Sequence, residues 1–233
     1  MIFQDLGIIG YKAAWDYQEK LLQENLAIKS LARESGDIIP ASSLPTIHHL
    51  LFCEHPPVYT LGKSGSMDNI LMPLEQMEAN GITFFKTNRG GDITFHGLQQ
   101  IVGYPILDLE KFGTDIGKYL RNLEEVIMMT IASFGIAGER SKGETGVWIE
   151  PGISGKERKI AAIGVRCSRW ITMHGFALNV NTDLDYFKNI IPCGIQDKQV
   201  TSIEKETGGK VDFGEVKEQL KKNFEIVFNT QLT

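Results

Sequence analysis

The order of the predicted helices and strands limits the fold of this chain more than any other feature of its sequence. Apolar residues recur at helical spacing over residues 11–34, 114–133 and from about residue 212 onward, and the segments between them read as strands. A parallel α/β fold would instead need strands and helices that alternate regularly. The sequence therefore predicts an α+β fold, with a mixed β-sheet flanked by helices.

Each predicted helix is marked by its apolar positions, and the last one also by its first turn. Asp212 with Glu215 forms a capping-box signal for the start of the third helix. The apolar positions are Ala14, Tyr17, Leu21, Ile28 and Leu31 in the first helix, Ile116, Leu120, Leu123, Ile127 and Ile131 in the second, and Val216, Leu220, Phe224 and Val227 in the third.

The predicted strands occupy the rest of the chain without an obvious linker. Asn, Gly and Pro clusters separate the strand-like runs, and no internal repeat or low-complexity tract interrupts them. We therefore expect one domain spanning residues 1–233. The predicted strands are residues 2–9, 49–54, 58–61, 82–86, 92–95, 101–107, 145–149, 159–167 and 171–180.

Composition excludes several classes of protein. The 233 residues are 42% hydrophobic and 23% charged, and the formal net charge of −5 is the opposite of the basic footprint that nucleic-acid binding needs. No window approaches the roughly 18 apolar residues of a membrane span. The first residues lack the basic and apolar regions of a signal peptide. We expect a cytoplasmic protein with neither nucleic acid nor membrane as a partner.

The cysteines are the first candidates for chemistry. Cys53, Cys167 and Cys193 cannot all pair within one chain, and in a reducing compartment they are thiols. A free cysteine is ordinarily a small buried hydrophobe, which we expect of Cys53 and Cys167. Cys193 differs because it lies between Pro192 and Gly194, which would hold its thiol on a stiff, accessible turn. A reactive thiolate would also need a nearby cation.

Two glycine-bearing segments are the other candidates. In RGGDITFHG, residues 89–97, paired glycines follow an arginine, and Thr94 and His96 would share one face of a strand. Residues 159–180 contain Gly164 and Gly175 inside strand-like runs, where glycine often marks a close approach to the backbone. An ordinary glycine turn and a solvated Lys159 at a strand start explain these patterns as well.

Common cofactor and metal motifs are absent from the sequence. GKS at residues 62–64 resembles part of a phosphate-binding loop, but Pro57 occupies the position of the required first glycine. The sequence contains neither a dinucleotide fingerprint nor a paired Cys-x-x-Cys. We expect no metal and no cofactor.

Taken together, the segments resemble the lipoyl(octanoyl) transferases of lipoate biosynthesis. The family usually follows its histidine with Gly-Pro-Gly-Gln, whereas this chain has Gly97-Leu98-Gln99-Gln100. The matching segments span most of the chain: CEHPPVYTLGKSG (residues 53–65), RGGDITFHG (89–97), IVGYPILDL (101–109), KIAAIGVR (159–166), HGFALNV (174–180) and PCGI (192–195).

The resemblance implies a fold related to the biotin and lipoate protein ligase catalytic domains, and an acyltransferase of protein lipoylation. It implies transfer of an octanoyl or lipoyl group from acyl carrier protein to a lysine of lipoyl domains, in 2-oxoacid dehydrogenase complexes or glycine cleavage H protein. Cys193 would carry the thioester intermediate, with Lys159 as its partner in a Cys/Lys dyad. The substrate-binding residues implied are Arg89, Gly90, Gly91, Asp92, Ile93, Thr94, Phe95, His96, Ala162, Ile163, Gly164, Gly175, Phe176 and Ala177.

Three other functions remain open from the sequence. An ATP-dependent lipoate protein ligase would use a related fold and a lysine, but it would need no cysteine nucleophile. A non-catalytic lipoyl-domain-binding protein would keep the fold alone. A cysteine hydrolase would use His96 or His174 as its base.

Residues 140–169 contain seven basic and three acidic side chains, and this excess would suit an acidic carrier protein.

Overall fold

The computed structural model describes residues 1–34, 40, 43–191 and 199–233. Helices and strands follow one another in the mixed order that the sequence predicts. The strands are β1 (Ile2–Ile8), β2 (His49–Glu54), β3 (Val58–Leu61), β4 (Thr83–Lys86), β5 (Ile93–His96), β6 (Gln100–Ile106), β7 (Val147–Ile149), β8 (Arg158–Ser168), β9 (Ile171–Asn179) and β10 (Gln199–Val200). The α-helices are α1 (Tyr11–Glu34), α2 (Leu74–Ala79), α3 (Ile116–Ala132), α4 (Ile203–Thr207) and α5 (Phe213–Phe228).

Within the described residues the strands form a large sheet and a small one. The large sheet has the order β1-β2-β6-β9-β8-β10, with β7 also paired to β8, and the small sheet has the order β4-β3-β5. Parallel pairs, such as β1 with β2, occur beside antiparallel ones, such as β8 with β9. The predicted α+β class with a mixed sheet is confirmed, and the separate small sheet is an addition to it.

Helices cover both faces of the large sheet. On one face, Leu21 and Leu22 of α1 pack against sheet residues such as Leu51. On the other face, α3 and α5 pack together over a larger apolar cluster that includes Ile127 and Phe224. Burial of these faces supplies most of the driving force for the fold, because apolar area removed from water contributes about 25 cal/mol per Å².

The buried face of α1 differs from its predicted apolar face. Leu31 is 66% exposed, whereas Lys29 is 3% exposed and is paired with the buried Asp108 at 2.6 Å. Asn25 is also buried, and its amide exchanges two 2.8 Å hydrogen bonds with the backbone of Ile47. Leu31 therefore lies outside the buried face of α1, which instead contains Asn25 and Lys29 with their polar partners from other elements, and apolar spacing cannot show such partners.

The other helices begin close to where the sequence places them. Asp212 caps α5 as predicted, with its side chain accepting a 2.7 Å hydrogen bond from the amide of Glu215. Asp115 caps α3 in the same way through Lys118. Among the described residues, no helix is long and apolar enough to cross a membrane, and no group of three or more His, Cys, Asp or Glu side chains is arranged to hold a metal ion.

Candidate active site

A cavity of about 670 Å³ lies where the two sheets and α1 meet, beside strand β8. Its walls come from α1, the loop before β5, and strands β5, β6, β8 and β9. The residues of the predicted site that line it are Arg89, Gly90, Gly91, Asp92, Ile93, Thr94, His96, Lys159, Ala162, Ile163, Gly164, Gly175, Phe176 and Ala177. Segments that are far apart in the sequence therefore share one concave space.

Two residues of the predicted site are not among the lining residues. Phe95 is 1% exposed, and its ring stacks on Tyr186 in the core of the small sheet, with a centroid distance of 4.5 Å. Cys193 lies outside the described residues, within residues 192–198. The residues described on either side of that segment include Phe187 and Val200, and both of these line the cavity.

Small residues form a flat floor between strands β8 and β9. Ala162 is paired with Ala177, and Gly164 is paired with Gly175 in the antiparallel register. The loop before β5 lies directly over Gly164, because the Gly90 amide donates a 2.9 Å hydrogen bond to the Val165 carbonyl. A Cβ atom on Gly164 would be 2.8 Å from the Gly90 carbonyl oxygen. The loop before β5 and strand β8 are therefore in close contact at Gly164.

Arg89 holds this loop to strand β3. Arg89 is 7% exposed, and its guanidinium donates to the Thr60 carbonyl oxygen at 2.6 Å and to the Thr60 hydroxyl at 2.9 Å. Backbone amides of Lys63 and Ser64 donate to the carbonyl oxygens of Arg89 and Gly91. The GKS sequence thus supports the loop over the cavity rather than a phosphate.

His96 is fixed as a neutral side chain. The side-chain nitrogen of Gln100 donates to the Phe95 carbonyl oxygen and to the Asn179 side-chain oxygen. The side-chain oxygen of Gln100 therefore accepts a 2.9 Å hydrogen bond from His96 Nδ1. The other ring nitrogen lies 3.4 Å from the Thr60 hydroxyl. Burial, followed by the charges around it, lowers the pKa of His96 well below its usual value. An imidazole whose pKa is lowered this far binds a proton only weakly, so it does not suit the role of a general base.

His174 is also buried and neutral. Its backbone has a φ of 58°, and its backbone amide donates to the side-chain oxygen of Gln18. Its ring nitrogen Nε2 lies 2.7 Å from the side-chain oxygen of Asn88. Burial, with smaller effects from Arg89 and Arg166, lowers the pKa of His174 to about 3. These properties fit a structural role in the cavity wall and weigh against the cysteine hydrolase considered above.

Lys159 lies at the opposite end of β8 from His174. Strands β7 and β10 both pair with it, through Trp148 and Val200. Its Nζ atom lies over the Trp148 ring, 4.5 Å from the ring centroid. The ammonium group is therefore held at the edge of the cavity by neighbouring strands.

The two described cysteines lack the setting of a nucleophile. Cys53 is fully buried, and burial raises the pKa of its thiol far above the usual value. Burial also raises the pKa of the half-buried Cys167 thiol. Because the thiolate is the reactive form, neither residue is suited to attack a carbonyl carbon.

The loop that departs from the usual family sequence is tightly bonded. Gln99 has a φ of 60°, and its amide donates a 2.7 Å hydrogen bond to the Glu54 carboxylate. Its carbonyl oxygen accepts from Asn181 at 3.1 Å and from Thr182 at 3.0 Å. The backbone at this position takes the left-handed conformation that glycine adopts freely, and the hydrogen bonds hold glutamine in it.

Substitutions of Gln99 should separate the effect of its backbone conformation on stability from the effect of its side chain. We expect Gln99→Gly to change the free energy of unfolding by less than about 1 kcal/mol, because relief of strain offsets the greater freedom of the unfolded chain. Gln99→Pro should lower it by roughly 2 kcal/mol or more, since proline cannot take this φ and removes the donor to Glu54. Denaturant unfolding measures both, and equal stability of the two variants would contradict the described loop.

Comparison with known proteins places this cavity in a family. Residues 10–225 match the family model of the lipoyl protein ligase A/B catalytic domain. The chain belongs to this family. It is 58% identical to the octanoyltransferase of Flavobacterium psychrophilum, over 97% of this chain and 95% of that protein. It is 54% identical to the octanoyltransferase of Christiangramia forsetii, over 98% and 96% of the two chains. The predicted family and acyltransferase class are confirmed.

A solved structure shows that the family fold is present. A chain from the bi-partite lipoate protein ligase and E2 lipoyl domain of Thermoplasma acidophilum superimposes with a TM-score of 0.68 at 18% identity. The match covers 100% of this chain and 85% of that chain. At this identity the likeness establishes the fold of the lipoyl protein ligase A/B family and leaves the chemistry to the site residues.

Several cavity residues were not found by sequence reasoning. Tyr11 and Tyr104 line the cavity from α1 and β6, and Thr60 holds Arg89 without lining it. Trp148 was missed because its partner, Lys159, lies on another strand. The GKS sequence, residues 62–64, precedes the loop before β5 by many residues in the chain, so the sequence did not show that the two segments are hydrogen-bonded.

Proposed function

We propose that this chain transfers an octanoyl group from the thioester of acyl carrier protein to a lysine of a lipoyl domain, through a thioester on Cys193. The observation that carries the proposal is the single cavity that gathers Lys159 with the residues of the loop before β5 and the small-residue floor. Lipoyl domains of 2-oxoacid dehydrogenase complexes or glycine cleavage H protein would be the acceptors. The whole chain would act as one catalytic domain in the cytoplasm.

The first half of the reaction would load the enzyme. The Cys193 thiolate attacks the thioester carbonyl carbon of the donor, and the bond to the carrier's sulfur breaks. Lys159, charged at this stage, gives its proton to the leaving sulfur, so a neutral carrier thiol departs. One thioester replaces another, and the exchange therefore needs no ATP.

The second half would deliver the acyl group. The acceptor lysine amine attacks the thioester on Cys193, an amide bond forms, and the Cys193 thiolate leaves. Lys159, now neutral, accepts the proton of the amine and returns to its charged form. Cys193 is favoured as the nucleophile because the pKa values of Cys53 and Cys167 are both raised by burial.

The floor of the cavity suits an unbranched acyl tail. About six methylenes at roughly 0.8 kcal/mol each would contribute about 5 kcal/mol when buried, before the costs of association. Ala162 and Ala177 face each other across the strand pair, so no bulky side chain obstructs such a tail there. We propose that the octanoyl chain lies along these residues, with the loop before β5 above it.

The basic segment does not by itself supply a docking surface for the carrier. Arg140 is paired with Glu124 and Glu125, Arg158 with Glu150 and Glu206, and Arg166 with Glu19. Four of these carboxylates, those of Glu19, Glu124, Glu125 and Glu206, come from outside residues 140–169 and offset the positive excess of that segment. Electrostatic steering of the carrier has less support than the sequence suggested.

Intact-mass measurement tests the proposal and separates it from the ligase. Wild-type protein mixed with octanoyl-carrier and no nucleotide should gain one octanoyl group within the turnover time. The Cys193→Ser variant should gain none. An adduct that forms only when ATP and free octanoate are supplied would favour the ATP-dependent lipoate protein ligase instead.

A further inference from the structure

The Trp148 ring is placed against the Lys159 ammonium by backbone pairing. The two residues face each other across strands β7 and β8, and Nζ lies 4.5 Å from the ring centroid. Trp148 is only 2% exposed, so its ring has little freedom to move. An ammonium over the face of tryptophan is attracted by the ring quadrupole, more strongly when water is excluded.

Two features of β7 fix the direction of this ring. The register between β7 and β8 shifts between Val147 and Trp148, and such an irregularity re-aims a side chain. On its other edge Trp148 exchanges two backbone hydrogen bonds with Glu139, at 2.8 and 2.9 Å. The tryptophan is therefore held from both sides of its strand.

The stem of Lys159 is held as well as its charged end. Gly146 has a φ of 120°, and a Cβ atom there would lie 3.5 Å from Lys159 Cε and 2.6 Å from the Ala161 carbonyl oxygen. The Gly146 amide donates a 3.1 Å hydrogen bond to the fully buried Glu124 on α3. The lysine thus runs along a glycine that α3 fixes, and it ends over the tryptophan.

We infer that Trp148 is a positioning residue for the acyl transfer, because its ring holds the Lys159 ammonium where it stabilises the Cys193 thiolate. This inference rests on the proposed function. In this inference Trp148 acts through the lysine, whose Nζ atom lies over its ring. A buried aromatic ring is also compatible with simple packing, so the test needs a property that packing does not change.

The pH dependence of Cys193 alkylation by iodoacetamide provides that property. In Trp148→Met the alkylation profile should move to higher pH, with a rate at pH 7 on the order of tenfold lower, because the ammonium is no longer held. Trp148→Phe keeps an aromatic ring with a weaker cation–π attraction, so its alkylation profile should lie between those of Trp148→Met and the wild type. Peptide mass spectrometry distinguishes Cys193 from Cys53 and Cys167.

Two controls separate positioning from packing. Phe224→Leu removes a buried aromatic ring from the core beneath α3 and α5, far along the chain from the site, and it should lower the melting temperature without moving the profile. In a Lys159→Ala background, Trp148→Met should add no further shift, because the two residues act as a unit.

The outcomes distinguish this inference from the proposed function. If Lys159→Ala leaves the alkylation profile at its wild-type position, the role of Lys159 itself is wrong. If Lys159→Ala moves the profile and Trp148→Met does not, Lys159 keeps its role and the positioning role of Trp148 is overturned. Equal shifts in Phe224→Leu and Trp148→Met would likewise reduce Trp148 to a packing residue.

Discussion

Replacing Lys159 with alanine should slow octanoyl transfer to a lipoyl domain by about 10²–10⁴-fold, the usual contribution of a positioned acid or base. The residue is half-buried at the cavity edge, and a shorter side chain there leaves the pairing of β7, β8 and β10 intact. We expect the circular dichroism spectrum to stay that of the wild type. The rate of octanoylation of an unmodified lipoyl domain, measured by mass spectrometry, provides the test.

Two matched variants sharpen this result. Lys159→Arg keeps a positive charge but cannot be deprotonated, so it should neither protonate the leaving carrier sulfur nor accept the proton of the amine, and both loading of Cys193 and transfer to the amine should slow. Lys156→Ala removes an exposed lysine three residues away and should leave the rate within about twofold of wild type, as surface substitutions usually do. A Lys159→Ala enzyme with more than about a third of wild-type activity would contradict the Cys/Lys mechanism.

Local signals in the sequence were sufficient for most helices and strands. Within the described residues helix α1 spans Tyr11–Glu34, the predicted range, and β2 and β3 also have their predicted bounds. Asp212 caps α5 through the Glu215 amide. Each of these depends on residues within a few positions of one another, where spacing and capping chemistry suffice.

Contacts between distant segments were the part that sequence reasoning missed. Lys29 is buried on α1 because Asp108, two residues after β6, provides its partner. Arg89 lines the cavity, and its guanidinium also binds Thr60 of β3, a contact that the sequence does not indicate; substrate binding by Arg89 stays a prediction. Nothing near Lys29 or Arg89 in the sequence indicates these partners, since they depend on which strands are neighbours.

The fold alone also does not identify the reaction. A lipoate protein ligase shares this fold at 18% identity, so the architecture alone does not distinguish a ligase from a transferase. In the proposed mechanism the distinction depends on a thiol acting with Lys159, and the predicted nucleophile Cys193 lies outside the described residues. The resemblance of PCGI to the transferase family was therefore the most informative local signal for the reaction.

Replacing Gly164 with alanine should reduce kcat/KM for octanoyl transfer by on the order of 100-fold, because it displaces the loop that we propose to cover the acyl chain. The new Cβ atom would lie 2.8 Å from the Gly90 carbonyl oxygen and 3.3 Å from Arg89 Cδ, and a backbone atom cannot turn aside. Overpacking of this kind costs about 1–3 kcal/mol of stability, and a displacement near 1 Å can cost roughly 10²-fold in rate. Steady-state kinetics and denaturant unfolding measure the two effects.

Gly209→Ala is the control for this substitution, and Gly175→Ala is a comparison in which the new Cβ atom would clash more severely. A Cβ atom on Gly209 would meet nothing within 4 Å, so activity and stability should match wild type. A Cβ atom on Gly175 would lie 2.1 Å from the Gly103 carbonyl oxygen inside the large sheet, and this variant should fail to fold. Because Gly164 lies under a loop rather than between strands, its variant should fold and lose activity. Wild-type kinetics for Gly164→Ala would show that the loop does not cover the acyl chain.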